Sequence, residues 1–276
     1  MDGRNLILSV CILLVTMSPG LAQNIGNSLG NNTAAGKYYK IRGFEMYTEV
    51  YGSGRPLLMI HGNNGSMSAF NNNITYFAQK YKVILADSRA QGKSADRNDS
   101  LSFEQMADDF SALLDTMRID SAYVVGFSDG GINALLLAMR HPEKVIKLAS
   151  TGANLWPDST AITPAVWKND LKAFNRLNGV TLKSNKEIND RKIFLLDWLQ
   201  PNVPLSALKA IKCPSLIICG DHDVICLEHT LNIYRSISHA YLWILPNSGH
   251  STLIEHSYNF NNEIDNFFKM PFINRK

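Results

Sequence analysis

Charge is scarce in this chain and none of it is gathered into blocks. Asp, Glu, Lys and Arg make up 18% of the 276 residues, with a formal net charge of +3, against roughly a quarter in an average globular protein. Without a basic stripe there is no electrostatic footprint for nucleic acid. Long apolar runs are missing too: the stretch from Leu6 to Met17 is about 12 residues, where a bilayer span needs about 20. Cysteine is limited to Cys11, Cys213, Cys219 and Cys226, with no metal-ligand spacing backed by histidine pairs, so no metal or cofactor site is expected. Repeat periods and low-complexity tracts are absent after Gly36. What remains is one folded body with an insertion, long enough to bury its core without a metal or disulfide.

The N-terminus carries Arg4, the apolar stretch, and then Pro19-Gly20-Leu21-Ala22 before Gln23. Small residues stand three and one positions before Gln23, the pattern of a cleavable secretory signal over 1–22, cut after Ala22. A secreted or periplasmic protein with no stable membrane span after cleavage is therefore expected, with 23–36, rich in Asn and Gly, as a flexible segment. Val10 stands where a lipidation cysteine at Cys11 would need a small residue. Loss of Cys11 leaves three cysteines, so at least one thiol stays unpaired. Cys213 and Cys219 flank a strand and read as core residues, while a Cys219–Cys226 bridge stays open.

Tyr38 to Ile41 and Phe44 to Tyr51 alternate with period two and read as an antiparallel hairpin. From Pro56 the texture changes to short, continuously apolar runs: 56–60, 83–86, 123–125, 145–149, 216–219 and 241–245. They alternate with helical patterns, which signals a mostly parallel sheet buried on both faces and flanked by helices. The helix from Phe103 places Met106, Ala107, Phe110, Leu113 and Leu114 at helical spacing, with Ser102 and Gln105 as a capping box. The rhythm breaks over 154–206, where Trp156, Trp167, Phe174, Phe194 and Trp198 sit in helical pieces without a strand. That stretch reads as a small helical lid inserted after the sixth strand, over the sheet edge where ligands bind in open α/β sheets. The core is then 37–153 with 207–276, and the lid shows no acidic cluster of its own.

Gly126-Phe127-Ser128-Asp129-Gly130 follows an apolar strand and opens an apolar helix, the setting in which Gly-x-Ser-x-Gly exposes a nucleophilic serine at a sharp bend. A serine needs a base, and the base needs an orienting acid. His61, His141, His222, His229, His239, His250 and His256 are the candidates. His250 emerges in a Gly-containing loop after the last strand, at the edge where Ser128 stands. His141 and His239 end helices, and His229 and His256 lie in helical stretches, which suits surface residues. For the acid, Asp221 and Asp223 follow Cys219-Gly220; Asp223 is preferred because the turn lets the later residue reach back, and Asp221 would then form the turn.

The order Ser, Asp, His resembles that of the α/β-hydrolases, over a stretch from about Tyr38 to Phe268. His61-Gly62-Asn63-Asn64-Gly65 is similar to that family's oxyanion loop, and Asp87-Ser88-Arg89-Ala90-Gln91-Gly92-Lys93-Ser94 to its Asp-x-Arg-x-x-Gly-x-Ser segment. The resemblance implies catalytic Ser128, Asp223 and His250, oxyanion donors at the backbone N–H groups of Asn63 and Asp129, and a structural His61. Two such donors are each worth on the order of 3 kcal/mol. Relatives that are dehalogenases or epoxide hydrolases carry aspartate where Ser128 stands, so acyl transfer is expected. The elbow heptapeptide from Gly126 to Ile132, with Thr151-Gly152-Ala153-Asn154, further resembles the valacyclovir hydrolase group, whose equivalent aspartate receives a substrate α-amino group.

Asp129 has two readings: a first-turn acid favoured by the helix dipole, or a site for a substrate cation. Beside an oxyanion it is awkward, because like charges about 4 Å apart repel by roughly 4 kcal/mol at an effective dielectric near 20. With Asn64 and Trp156 it is a substrate-binding candidate. The expected activity is a serine hydrolase for small carboxylic esters, including α-amino-acid esters, or amides, whose partner is that small molecule. Two alternatives remain: a carbon–carbon bond hydrolase acting on a diketone, and a non-catalytic binding protein on a hydrolase scaffold. Oligomeric state is left open.

Overall fold

The computed structural model describes residues 29–96, 100–177 and 179–273; the expected signal over 1–22 lies outside them. Eight strands form one sheet in the order β1-β2-β4-β3-β5-β6-β7-β8. The hairpin is β1 (Gly36–Ile41) and β2 (Phe44–Tyr51), and β2 runs antiparallel to both β1 and β4. β3 (Pro56–Ile60), β4 (Lys82–Ala86), β5 (Ala122–Phe127), β6 (Val145–Thr151), β7 (Ser215–Gly220) and β8 (Ala240–Leu245) are mutually parallel.

Strand side chains alternate between faces, and both faces are covered. Leu58, Ile60, Ile84, Val124, Leu148 and Ile217 pack in one cluster with the helices α2 (Phe103–Thr116), α3 (Asp129–Arg140) and α6 (Leu227–Ser236). Leu57, Met59, Val83, Leu85, Val125 and Leu216 pack in a second cluster. It includes the short helix α1 (Ile74–Ala78), the turn helix α7 (Thr252–Glu255) and the C-terminal α8 (Ser257–Lys269). Double coverage explains why these strands read as continuous apolar runs.

Between β6 and β7 come α4 (Pro164–Leu177) and α5 (Asn185–Leu199), held to each other through Trp198. Its ring lies 6.1 Å from Trp167, 5.2 Å from Phe174 and 6.4 Å from Phe194. The insertion is pinned to the loop after β7, where Thr163 N–H donates to Val224 O and Cys226 N–H to Ala161 O.

Two local expectations change and one open question closes. Ser102 accepts the Gln105 N–H, which is half of the expected capping box, and a complete box forms at Ser184 and Glu187, at the start of α5. The described part of the segment expected to be flexible, 29–36, is docked: Leu29 is buried, and Gly30 and Asn32 N–H donate to the Glu49 carboxylate. That carboxylate is itself buried and also accepts the Tyr47 and Tyr51 hydroxyls, so the segment supplies two of its four donors. Cys213, Cys219 and Cys226 are all free, so no Cys219–Cys226 bridge forms, and burial raises the Cys213 and Cys219 thiols to about 11.

Candidate active site

β5 turns into α3 through Ser128, whose φ of 56° and ψ of −120° lie in a region that costs a non-glycine residue of order 1–3 kcal/mol. The surroundings hold it there. Ser128 N–H donates to Thr151 O at 2.8 Å, and Ser128 O receives the Gly131 and Ile132 N–H groups. A Cβ on Gly126 would lie 2.0 Å from Gly130 O, and one on Gly130 the same distance from Ile60 O. Only glycine lets β3, β5 and α3 converge this closely.

His250 stands in the loop after β8. Its Nε2 is 2.9 Å from Ser128 Oγ and its Nδ1 is 2.6 Å from Asp223 Oδ1. Asp223 is almost fully buried while the His250 side chain is 22% exposed, so the acid is desolvated and the base is reachable. The loop is fixed from three sides. Asp221 Oδ2 and Oδ1 accept the Asn247 and Ser248 N–H groups, Glu255 Oε2 accepts Gly249 N–H, and Gly152 presses against the imidazole. A Cβ at Gly152 would lie 2.7 Å from His250 Cε1 and push the ring off Ser128. Asp221 thus pins the turn while Asp223 meets the histidine; its exposed carboxyl is held below the usual range by the Ser248 and Asn247 N–H donors.

Asn63 is also at the site. Its Nδ2 donates to Asp129 Oδ2 at 2.8 Å, tying the loop after β3 to the first turn of α3. His61 is fully buried beside them, with Nδ1–H on Gly62 O at 2.7 Å and Nε2 accepting Ser88 N–H at 2.9 Å. Burial lowers its pKa, and both nitrogens are engaged, so it anchors the loop.

Asn64 is an exposed turn residue at φ 47°. Trp156 donates Nε1–H to Thr160 Oγ1 and packs edge-on against His229 at 4.4 Å. The surface reading of His229 is corrected by the same contact. His229 is 1% exposed, its Nε2 accepts Leu155 N–H, and burial lowers its pKa to about 4.

The sequence reading missed two acids. Beside Asn63 lies a cavity of about 60 Å³ whose lining includes Asp170, Phe194, Asp197 and Trp198. The lid therefore does bring carboxylates to the site. Asp197 lines this cavity together with Asn63, the residue whose Nδ2 holds Asp129 Oδ2. Burial, then the Asp197 charge, raises Asp129 well above the usual carboxylate range, and burial with the Asp170 charge raises Asp197 to about 6. Burial also raises Asp170. Among the described residues, no lysine or arginine lines this cavity. A signal for both acids was present: Trp167, Asp170 and Phe174, then Phe194, Asp197 and Trp198, each set an aspartate inside an aromatic stripe at helical spacing.

A family model described as alpha/beta hydrolase fold matches residues 55–188. The chain is 27% identical to a 2-hydroxymuconate semialdehyde hydrolase of Pseudomonas sp. (strain CF600), over 87% of this chain and 96% of that protein. It is 33% identical, over 112 residues, to a protein of Azorhizobium caulinodans named provisionally as the carbamate hydrolase RutD, of which the match spans 42%. Among solved structures, the carboxylesterase CesB of Bacillus subtilis superposes with a TM-score of 0.71 at 17% identity, covering 91% of this chain and 96% of that one. A meta-cleavage product hydrolase of Pseudomonas fluorescens gives 0.69 at 22% identity, over 86% and 98%.

Proposed function

We propose, starting from the α/β-hydrolase fold of this chain, that it is a serine hydrolase cleaving small carboxylic esters or amides through an acyl-serine. The observation that carries the reading is the unbroken relay from Ser128 Oγ through His250 to Asp223, at 2.9 and 2.6 Å, mounted on a strained elbow. His250 Nε2 takes the Ser128 proton as Oγ attacks the carbonyl, and Asp223 holds Nδ1–H and steadies the imidazolium. The backbone N–H groups of Asn63 and Asp129 receive the developing oxyanion. His250 then protonates the leaving group, and the same nitrogen activates the water that releases the acid.

Electrostatics favours esters over the carbon–carbon alternative. A relative from Burkholderia cepacia is named for a 2-hydroxy-6-oxo-6-phenylhexa-2,4-dienoate, which is itself a carboxylate. Here Asp170 and Asp197 line the cavity beside Asn63, whose described lining holds no lysine or arginine, so a carboxylate substrate would meet repulsion. Neutral or ammonium-bearing acyl groups meet none, and α-amino-acid esters are the finer reading. Asp129→Ala should then weaken α-amino esters selectively against their deaminated counterparts; equal loss on both sinks it.

Labelling by a fluorophosphonate, abolished in Ser128→Ala, tests the main reading, and a folded wild type that stays unlabelled points to a binding protein. A p-nitrophenyl ester panel assayed beside a diketone separates the two enzyme readings. Export is supported by the leader-like sequence of 1–22 alone, and N-terminal sequencing of the mature protein tests it.

A further inference from the structure

We infer that Trp198 is a specificity-determining residue: from α5 it forms the lid-side wall of an acyl pocket and so sets the length of acyl group that the enzyme accepts. The inference rests on the serine-hydrolase reading and adds a limit of size to it. The pocket is the cavity of about 60 Å³ that Trp198 lines together with Asn63, Ile162 and Phe194. A water-sized group needs about 10–15 Å³ of such space, so there is room for about four to six non-hydrogen atoms.

Two sides of the cavity are tied to the catalytic groups. Asn63 Nδ2 holds Asp129 Oδ2 at 2.8 Å, next to Ser128. Ile162 pairs with Ile225, whose N–H donates to Asp223 Oδ1 at 3.1 Å. The space is thus fixed relative to the reacting atoms, and the lid supplies the remaining side. There the Trp198 ring lies at 8° to Phe194, 22° to Phe174 and 27° to Trp167, so the indole cannot swing aside without giving up three ring contacts. The helix behind it is held by Asn189 on Ala90 O and Lys192 on Asp96 O. Asp170 and Asp197 share the lining, and an alkyl tail forced past the limit would strip water from their carboxyls without replacing its hydrogen bonds. Because Asn63 touches both Asp129 and the cavity, an α-ammonium held at Asp129 leaves the rest of the acyl group to enter this space.

The test is kcat/KM for p-nitrophenyl acetate, butyrate, hexanoate and octanoate with wild type and Trp198→Ala. Wild type should favour butyrate over octanoate by about tenfold or more, since one methylene in a closed apolar pocket is worth about 10- to 200-fold. Trp198→Ala should raise the octanoate-to-butyrate ratio about tenfold, with acetate, too short to reach the wall, little changed. A wild type that takes octanoate as readily as butyrate overturns the inference, and so does a variant that loses activity equally on all four esters. Should Trp198→Ala not fold, Trp198→Phe keeps a ring in the stack and carries the same test with a smaller rise; an unmoved ratio there overturns the inference as well. Fluorophosphonate labelling of Ser128 separates the failures. A folded enzyme that takes no label removes the hydrolase reading, and a labelled enzyme whose chain-length profile ignores Trp198 removes only this inference.

Discussion

The lid helix α5 meets the body of the protein at two places, and the two are built from opposite electrostatics. In its first half Asn189 Nδ2 donates to Ala90 O, and at its middle Lys192 donates to Asp96 O and lies 3.6 Å from Asp96 Oδ2. Behind them the fully buried Arg89 makes two bonds to Asp109, one to Asp96, and lies over the Phe44 ring. Near its end, Asp197 lines a cavity with Asn63 and, from α4, Asp170. Buried acids at the first attachment are balanced by cations that stay charged through the physiological range. Among the described residues no lysine or arginine lines the second, and burial raises the carboxyls of Asp170 and Asp197 so that they hold protons to higher pH than usual. One helix is thus fastened permanently up to its middle and conditionally near its C-terminal end.

The largest effect comes from breaking the permanent attachment. Arg89→Met would leave Asp109 and Asp96 buried, with the half-exposed Arg42 still 3.2 Å from Asp109 and Lys192 3.6 Å from Asp96. Removing one side of a buried ion pair costs about 3–5 kcal/mol, read as a lowered midpoint in urea unfolding. A loss below about 1 kcal/mol would erase the distinction between the two ends.

The conditional attachment should show itself in stability. Asp197 is raised from near 3.8 to about 6 in the folded protein, so between those values the folded state binds more protons than the unfolded one. For such an acid the stabilisation is fully present at low pH and is lost as pH rises through that window. The whole shift corresponds to at most about 3 kcal/mol. Thermal melts from pH 4 to 7 should therefore show a wild-type decline that Asp197→Asn flattens; parallel curves would contradict it. Lys192→Met, which removes charge but keeps the apolar stem, should cost less, about 1–2 kcal/mol, and leave that pH dependence in place.

How much of this was legible depended on whether the partner lay nearby in sequence. Ser128 was readable because strand, glycines and helix all flank it within one stretch, and the same holds for Asp223 against Asp221, where the turn geometry is local. The parallel sheet was readable from continuous apolar runs, since burial on both faces leaves no polar alternation. His229 was misread because its partner, the Leu155 N–H, lies across the insertion and nothing in Glu228-His229-Thr230 announces it. Asp170 and Asp197 form no cluster along the sequence, and only the folding of α4 and α5 brings them to one cavity beside Asn63. Their places among Trp167, Phe174, Phe194 and Trp198 carried the clue that these faces turn inward.

The smallest effect concerns the helix that joins the two attachments. Ser184 Oγ accepts the Glu187 N–H, and Glu187 Oε2 accepts the Ser184 N–H, so the box satisfies one orphan donor at the helix start and the cap residue's own N–H. Ser184 and Glu187 are exposed and neither touches the core, which isolates the helix from its attachments. Ser184→Ala should cost about 1 kcal/mol, felt as faster amide exchange over the first turns of α5 and through Lys192. Exchange in β5 and α3 should not change, because their packing does not pass through the lid. If exchange instead rises first around Asp197, the conditional end is the weaker of the two even at neutral pH, and the permanent end holds the helix without help from its cap.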